Sequence, residues 1–158
     1  MAGFRDFLKS GHTPTLFAAF FYLMFSFVIW VMNGAMAPFI SEQFQLTPAQ
    51  KGLLLSIPIV AGAIMRFPLG LLAQYVGRKT ATLVELCLIT FTMSFGYFFV
   101  HTYDDLLKMA LLLGVAGASF GVAMSLGSGW YPPKYKGLAM GLVGAGNASL
   151  TTLLVAPV

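Results

Sequence analysis

The sequence predicts an all-α membrane protein, and three observations support this prediction. Of the 158 residues, 58% are hydrophobic and 9% are charged, whereas a soluble domain carries about 25% charged residues. The mean hydropathy is +0.84. The apolar residues form runs of about 20 or more, the helix length that crosses a hydrocarbon core of about 30 Å.

Five apolar runs are long enough to form transmembrane helices. We predict a cytoplasmic N-terminal segment over residues 1–14 and a transmembrane helical domain over residues 15–158. The predicted helices cover about residues 15–38, 52–76, 80–100, 106–126 and 137–158. Their connections are short, so consecutive helices are expected to run antiparallel and side by side. The last run has no interfacial Trp, Tyr or Lys after it, so we expect a truncated part of a longer protein.

The distribution of basic residues predicts the orientation of the helices. Six of the nine lie on the side of the N-terminus: Arg5, Lys9, Arg78, Lys79, Lys134 and Lys136. Two, Lys51 and Lys108, lie on the opposite side, and the ninth is inside a predicted helix. Because Lys and Arg are enriched in cytoplasmic loops, we expect the N-terminus to be cytoplasmic.

Several classes of function are disfavoured by the composition and spacing of polar residues. The single cysteine allows no internal disulfide, and no set of Cys, His and carboxylate residues has metal-ligand spacing. The sequence has no Ser/His/Asp set and no paired carboxylates, so we predict no enzyme, no catalytic residue and no cofactor. The net charge of +4 comes from residues scattered between apolar runs. We attribute it to topology and predict no nucleic-acid partner.

Arg66 lies near the middle of the second predicted helix, where a charge costs at least about 2.5 kcal/mol. The positions about one turn away, Gly62, Ala63 and Gly70, are small, and small residues mark close helix contacts. We therefore expect Arg66 to face protein rather than lipid. Its guanidinium suits a planar oxyanion, which predicts anion binding. The alternatives are a structural ion pair or a water-lined role. The only acid inside a predicted helix, Glu85, is interpreted as an interfacial acid near the cytoplasmic surface.

Glycine patterns in the last two predicted helices indicate close helix packing. The small residues concerned are Gly117 and Gly121 in the fourth helix and Gly137, Gly141, Gly144 and Ala148 in the fifth. Asn147 adds an amide to the fifth run, and an interhelical hydrogen bond is the simplest role for it. Phe120, beside the fourth-helix pattern, is by itself typical of a packing residue.

The loop after the second helix resembles a signature of the major facilitator superfamily. Gly70, Gly77, Arg78 and Lys79 match it, and Gln74 stands where the family usually has aspartate. The resemblance implies a loop that locks one conformational state through a charge relay. Gln74 cannot form the ionic contact of that relay. The alternative is that the two basic residues only set the topology.

The fifth helix resembles the nitrate signature of the nitrate/nitrite porter family within that superfamily. The matching residues are Gly141, Gly144, Gly146 and Asn147, whereas Ser149 stands where the signature usually has another glycine. The stretches GASFGVAM and WYPPKYKGLAMG and the arginine in the middle of the second helix resemble the same family. The resemblance extends over essentially the whole chain, aligned to the N-terminal half of such a porter.

The resemblance implies a transporter of two six-helix halves, with the anion site between them, in a bacterial cytoplasmic membrane. Arg66 would then hold nitrate or nitrite, Asn147 would donate a hydrogen bond, and Phe120 would stack on the planar anion. A second arginine would come from the C-terminal half, which is absent from this sequence. The alternatives are transport of another small anion such as formate or oxalate, or a non-transporting fragment or membrane interaction subunit. Glu85 is the lone candidate for a proton relay.

Overall fold

The structure, a computed structural model, describes residues 2–149, and every regular element within this range is a helix. The helices are α1 (Ala2–Lys9), α2 (Thr13–Gln43), α3 (Pro48–Tyr75), α4 (Arg78–Phe99), α5 (Tyr103–Gly117), α6 (Ser119–Ser128) and α7 (Pro133–Ser149). The predicted all-α class is therefore confirmed for the described part of the chain.

Four segments of the described chain are long and apolar enough to cross a membrane. They are Thr13–Gln43, Pro48–Tyr75, Arg78–Phe99 and the combined α5–α6 segment Tyr103–Ser128. They correspond to the first four predicted helices. The fifth predicted helix begins within α7, but its remainder lies outside the described residues. Of the five predicted spans, four are therefore present among residues 2–149.

Polar residues ahead of the apolar runs set the starts of the helices. The Thr47 backbone N–H donates to Gln50 Oε1 at 2.9 Å, and the Gln50 N–H donates to Thr47 Oγ1 at 3.4 Å, which forms a capping box before α3. Thr102 Oγ1 accepts from the Asp105 N–H at 3.3 Å before α5. Helices α3 and α5 therefore begin earlier than the hydrophobic runs alone predicted.

The fourth predicted span consists of two helices rather than one. Ala118 ends α5 and begins α6, and its N–H donates to the Val115 carbonyl at 3.0 Å, a tighter turn than an α-helical bond gives. This combined segment is the centre of the bundle. Over the most apolar 18 residues of this segment 61% of the residues are buried, compared with 33% or less over the equivalent stretches of α2, α3 and α4.

Helices α3 and α5 approach each other backbone to backbone. A Cβ on Gly62 would lie 3.2 Å from the Gly114 carbonyl oxygen and 3.4 Å from the Gly117 Cα. A Cβ on Gly114 would overlap the Ala61 side chain and lie 2.8 Å from the Gly62 nitrogen. Small residues are required here because any larger side chain would push the two helices apart.

The N-terminal segment, predicted only as a cytoplasmic extension, contains the amphipathic helix α1. Phe7 is fully buried and stacks on Tyr131, with ring centroids 4.7 Å apart, and meets Tyr135 edge-on at 5.8 Å. A Cβ on Gly11 would lie 2.7 Å from the Tyr131 ring. These contacts dock α1 on the segment between α6 and α7 and on the start of α7.

The loops of the bundle divide between two ends, as the distribution of basic residues predicted. At one end α1 contacts the α6–α7 segment, and the Arg78 guanidinium at the start of α4 lies against Gly129 at the end of α6. At the other end the hydroxyl of Tyr103, the first residue of α5, donates to the Gln50 carbonyl near the start of α3, at 3.2 Å. The first end carries six of the nine basic residues. Its cytoplasmic location stays a prediction.

We expect Gly114→Ala to lower the free energy of unfolding by about 1–3 kcal/mol, because the added methyl group overpacks the contact with α3. The measurement is the thermal stability of the full-length protein in detergent. Gly34→Ala is the matched control, since a Cβ at this α2 position has no atom within 4 Å. Equal stability of the two variants would contradict the α3–α5 contact.

Candidate functional site

Arg66 is exposed on α3, beside the buried face of that helix. The buried residues of α3 are Leu54, Pro58, Ala61, Gly62 and Leu69. At 3.6 residues per turn, Arg66 lies roughly a quarter of a turn from the centre of this stripe. No helix among residues 2–149 covers Arg66, so the expectation that it faces protein rather than lipid stays a prediction. Gly62 makes the close contact, whereas a Cβ on Gly70 would have no atom within 4 Å.

Arg66 has no salt bridge within the described part of the chain. The one salt bridge among residues 2–149 joins Lys108 Nζ to Asp105 Oδ1 at 3.0 Å. An ion pair between Arg66 and Glu85, the structural alternative, is therefore not formed. The guanidinium is open to an anion from outside this part of the chain.

A groove of about 1000 Å³ lies between the end of α3, the start of α4 and α6. Its wall residues are Gly70, Ala73, Gln74, Val76, Gly77, Arg78, Lys79, Thr80, Gly121, Val122, Ser125, Leu126, Gly129 and Trp130. All residues that matched the superfamily signature, together with Gln74, therefore line this one groove. The structure brings them together at the end of the bundle that is richer in basic residues.

The helices that form this groove also carry two of the predicted substrate residues. Arg66 lies one helical turn before Gly70 on α3, and Phe120 directly precedes Gly121 on α6. Within the described residues the Phe120 side chain is 43% exposed, and its role in packing or in substrate binding stays a prediction. Arg66 and Phe120 thus present an exposed cation and an exposed aromatic ring on adjacent helices.

Helix α7 packs on α2 and α6 and carries the residues that resemble the nitrate signature. A Cβ on Gly146 would lie 2.8 Å from the Phe20 carbonyl oxygen of α2, and one on Gly144 would lie 3.0 Å from Met124 Cε. Within residues 2–149 a Cβ on Gly137 or Gly141 would have no atom within 4 Å. The α2 contact therefore depends on Gly146, whereas the other end of the predicted small-residue stripe is open.

The remaining signature residues have different surroundings. Asn147 is half-buried on α7, next to the α2 contact at Gly146, and is not among the residues that line the groove. Gly117 of α5 is close to α2 as well as α3, since a Cβ there would lie 2.6 Å from Trp30 Nε1. A Cβ on Gly121 would have no atom within 4 Å in the described chain. The side chain of Ser149 lies outside the described residues.

The loop between α3 and α4 depends on a glycine and places a cation at a helix end. Gly77 precedes α4 with φ of 86°, a conformation that side-chain-bearing residues adopt at a cost. The Arg78 guanidinium occupies the space where a Cβ on Gly129 would lie. Because Gly129 ends α6, the cation meets the negative end of that helix dipole. Arg78 thereby connects the start of α4 to the end of α6 without an aspartate at position 74.

Glu85 is fully buried, so its interpretation as an interfacial acid is wrong. It lies on the buried face of α4 with Ala81, Ile89 and Thr92, which directs it into the bundle instead of toward the membrane surface. The Tyr22 hydroxyl of α2 donates a hydrogen bond to Glu85 Oε2. The helical spacing of Glu85 along this face could have predicted that it is buried. Its partner Tyr22 could not have been predicted in the same way, because it lies 63 positions away in the sequence.

Comparisons with known proteins agree with this architecture. The Major Facilitator Superfamily profile matches residues 16–157. A probable nitrate/nitrite antiporter, NarK1, of Thermus thermophilus is 35% identical over 139 residues, which is 85% of this chain and 30% of that protein. A probable nitrate transporter, NarT, of Staphylococcus aureus (strain MRSA252) is 30% identical over 139 residues, 86% of this chain and 35% of that protein. The chain spans about a third of the length of these relatives. The resemblance to nitrate/nitrite porters is confirmed.

We expect Gly77→Ala to destabilise the full-length protein by about 1–3 kcal/mol, because φ of 86° with ψ of 152° is a backbone conformation that residues with a Cβ rarely adopt. Gly70→Ala is the matched control from the same loop signature, because Gly70 is helical and a Cβ there has no atom within 4 Å. The measurement is thermal unfolding in detergent. A Gly77→Ala variant as stable as Gly70→Ala would contradict the positive φ at this position.

Proposed function

Because the chain belongs to the major facilitator superfamily, we propose that the full-length protein transports nitrate or nitrite across the membrane by alternating access around a central anion site. The proposal concerns the longer protein, since this chain spans about a third of its relatives. The observation that carries it is Arg66, a cation on a membrane-spanning helix that is exposed and has no salt bridge within residues 2–149.

The position of Arg66 along α3 supports an anion site in the membrane interior. It lies nine residues before the end of α3 at Tyr75, or about 14 Å at 1.5 Å per residue. This is close to half of a hydrocarbon core of about 30 Å. A guanidinium at this depth costs at least about 2.5 kcal/mol unless it meets water or an anion. An intramembrane cation of this kind is by default part of a substrate pathway.

The chemistry of nitrate fits the residues that the two helices expose. The rigid fork of Arg66 offers paired N–H donors to two oxygens of a planar anion. The exposed ring of Phe120 on α6 offers a flat apolar surface for its face. We assign Asn147 on α7 as a further hydrogen-bond donor and the α3–α4 loop, with Arg78 and Lys79, as the conformational loop. The names of both relatives specify nitrate.

The setting that we propose is a bacterial inner membrane with the N-terminus in the cytoplasm. The described chain is an integral membrane helix bundle of the superfamily, and the relatives come from bacteria. The end that carries six of nine basic residues would then be cytoplasmic. A second helical half of the longer protein would close the site opposite Arg66 and supply a second arginine. Transport would follow from rocking of the two halves around this site.

We expect Arg66→Lys in the full-length protein to reduce nitrate uptake about tenfold or more. Lysine keeps the charge but lacks the planar fork, and a hydrogen bond to a charged group contributes about 1.5–3 kcal/mol. The measurement is nitrate uptake into proteoliposomes, with nitrite, formate and oxalate as competitors. Arg5→Lys on α1 is the control. Near-normal uptake by Arg66→Lys would show that Arg66 does not bind the anion. Stronger competition by formate or oxalate than by nitrite would indicate that the substrate is a small carboxylate.

We expect Phe120→Leu to weaken nitrate binding about 2- to 10-fold, the range that a stacking contact of about 0.5–1.5 kcal/mol gives. The measurement is the nitrate concentration that half-saturates uptake by the full-length protein. Phe67→Leu is the matched control, because Phe67 is an exposed phenylalanine on the helix that carries Arg66. Similar small effects of both substitutions would show that Phe120 has no role in anion binding.

A further inference from the structure

Glu85 is a buried acid that the anion site does not use. Its side chain is 0% exposed, and its Oε2 accepts a hydrogen bond from the Tyr22 hydroxyl of the neighbouring α2. Its other oxygen, Oε1, is buried and has no hydrogen-bond partner within residues 2–149. Glu85 lies seven residues after Arg78 at the start of α4, which is about 10 Å along the helix. One carboxyl oxygen is therefore satisfied, whereas the other is left for a proton.

No cation neutralises this carboxyl group in the described chain. Glu85 forms no salt bridge within residues 2–149. Among the buried residues of α2, α3, α5 and α6, Tyr22 is the one titratable side chain. The nearest cations along α4 are Arg78 and Lys79, seven and six residues before Glu85. The Arg78 guanidinium is placed against Gly129 at the end of α6.

The surroundings therefore favour the neutral acid. An ionised carboxylate that is buried without a cation loses several kcal/mol of solvation. A proton on Oε1 removes that charge and leaves the hydrogen bond from Tyr22 to Oε2 intact. Deprotonation requires water or a cation to reach Glu85, and this requires the helices that enclose it to move apart. The protonation state of Glu85 is thereby tied to the conformation of the bundle.

We propose that Glu85, held by Tyr22, is a proton-binding site that couples proton movement to anion transport. This inference rests on the proposed function, because the coupled anion is the one bound at Arg66. The proton adds to Glu85 Oε1 in the closed arrangement and leaves it when the carboxylate is hydrated. One proton moving with one monovalent anion makes the transported pair electrically neutral.

The connection between α3 and α4 provides a route for this coupling. Helix α3, which carries Arg66, ends at Tyr75, and α4, which carries Glu85, begins at Arg78. Only Val76 and Gly77 separate the two helices, so a shift of α3 upon anion binding is passed directly to α4. The anion and proton sites are separate: Arg66 is exposed, whereas Glu85 is sealed inside the bundle.

The test uses the full-length protein in proteoliposomes and two modes of nitrate movement. One mode is nitrate exchange at equal pH on both sides, and the other is nitrate accumulation driven by an acidic exterior. In Glu85→Gln we expect exchange to continue and driven accumulation to disappear, because the amide keeps the shape but binds no proton. For one proton per anion the loss is about tenfold in the accumulation ratio per pH unit. Unchanged driven accumulation, or equal loss of both modes, would overturn the proposal.

Two further variants separate proton binding from packing. Thr92→Val is the matched control, since Thr92 is buried on the same face of α4 and its hydroxyl donates to the Leu88 carbonyl at 2.8 Å. It should retain both modes. Tyr22→Phe keeps the carboxyl group but removes its donor, so driven accumulation should persist with a displaced pH profile. A Tyr22→Phe variant with the wild-type pH profile would show that the Tyr22–Glu85 hydrogen bond does not influence proton binding.

A measurement without nitrate distinguishes failure of this proposal from failure of the proposed function. Infrared difference spectra of the wild type against Glu85→Gln should contain the carbonyl stretch of a protonated carboxylic acid. Its absence across the pH range in which the protein is folded would overturn the proton site, whatever the substrate. A wild-type protein that shows the band but moves no nitrate would refute nitrate as the anion and leave Glu85 as a proton-binding residue.

Discussion

The backbone contact between α3 and α5 is the interaction on which the geometry of the candidate site depends. Lipid offers no hydrophobic driving force between helices, so their association depends on close packing. Gly62 and Gly114 permit that packing because neither has a Cβ. The contact sets the rotation of α3 about its axis, and this rotation leaves Arg66 exposed one helical turn before Gly70, which lines the groove. The same contact also fixes the position of Phe120, because Phe120 lies on α6 and α6 continues α5 after the turn at Ala118.

Arg66 and Glu85, which both lie in the interior of the spans, have opposite environments. Arg66 is exposed at the edge of the buried face of α3, where an anion from outside the described chain can reach it. Glu85 is enclosed between helices with one hydroxyl donor from Tyr22. A guanidinium cannot lose its charge in a protein, so it needs an anion or water, whereas a carboxyl group becomes neutral by accepting a proton. This difference explains how the bundle accommodates both residues without pairing them.

The sequence predicted the existence of the spans better than their ends. Apolar runs of about 20 residues identify the helices because the thickness of the bilayer sets their length. The caps at Thr47 and Thr102 lie in polar stretches, so hydrophobicity alone places the helix starts too late. The break at Ala118 lies inside a continuous apolar run and leaves no hydrophobic signal. Helix α1 has eight residues and is held by ring contacts with Tyr131 and Tyr135, which its own sequence does not contain.

The sequence by itself determined the membrane class, the approximate spans, the cation within the second span and the membership of the superfamily. The class, the spans and the cation follow from residue type and run length, whereas the superfamily follows from the resemblance of the motifs and from the family match. The tertiary structure alone decided which face of each helix is buried, that Arg66 is exposed and that Glu85 is enclosed with Tyr22. The physical reason is that lipid-facing and core-facing positions are both apolar in a membrane helix. Hydrophobic periodicity therefore cannot separate them, and only the packing of one helix against another does.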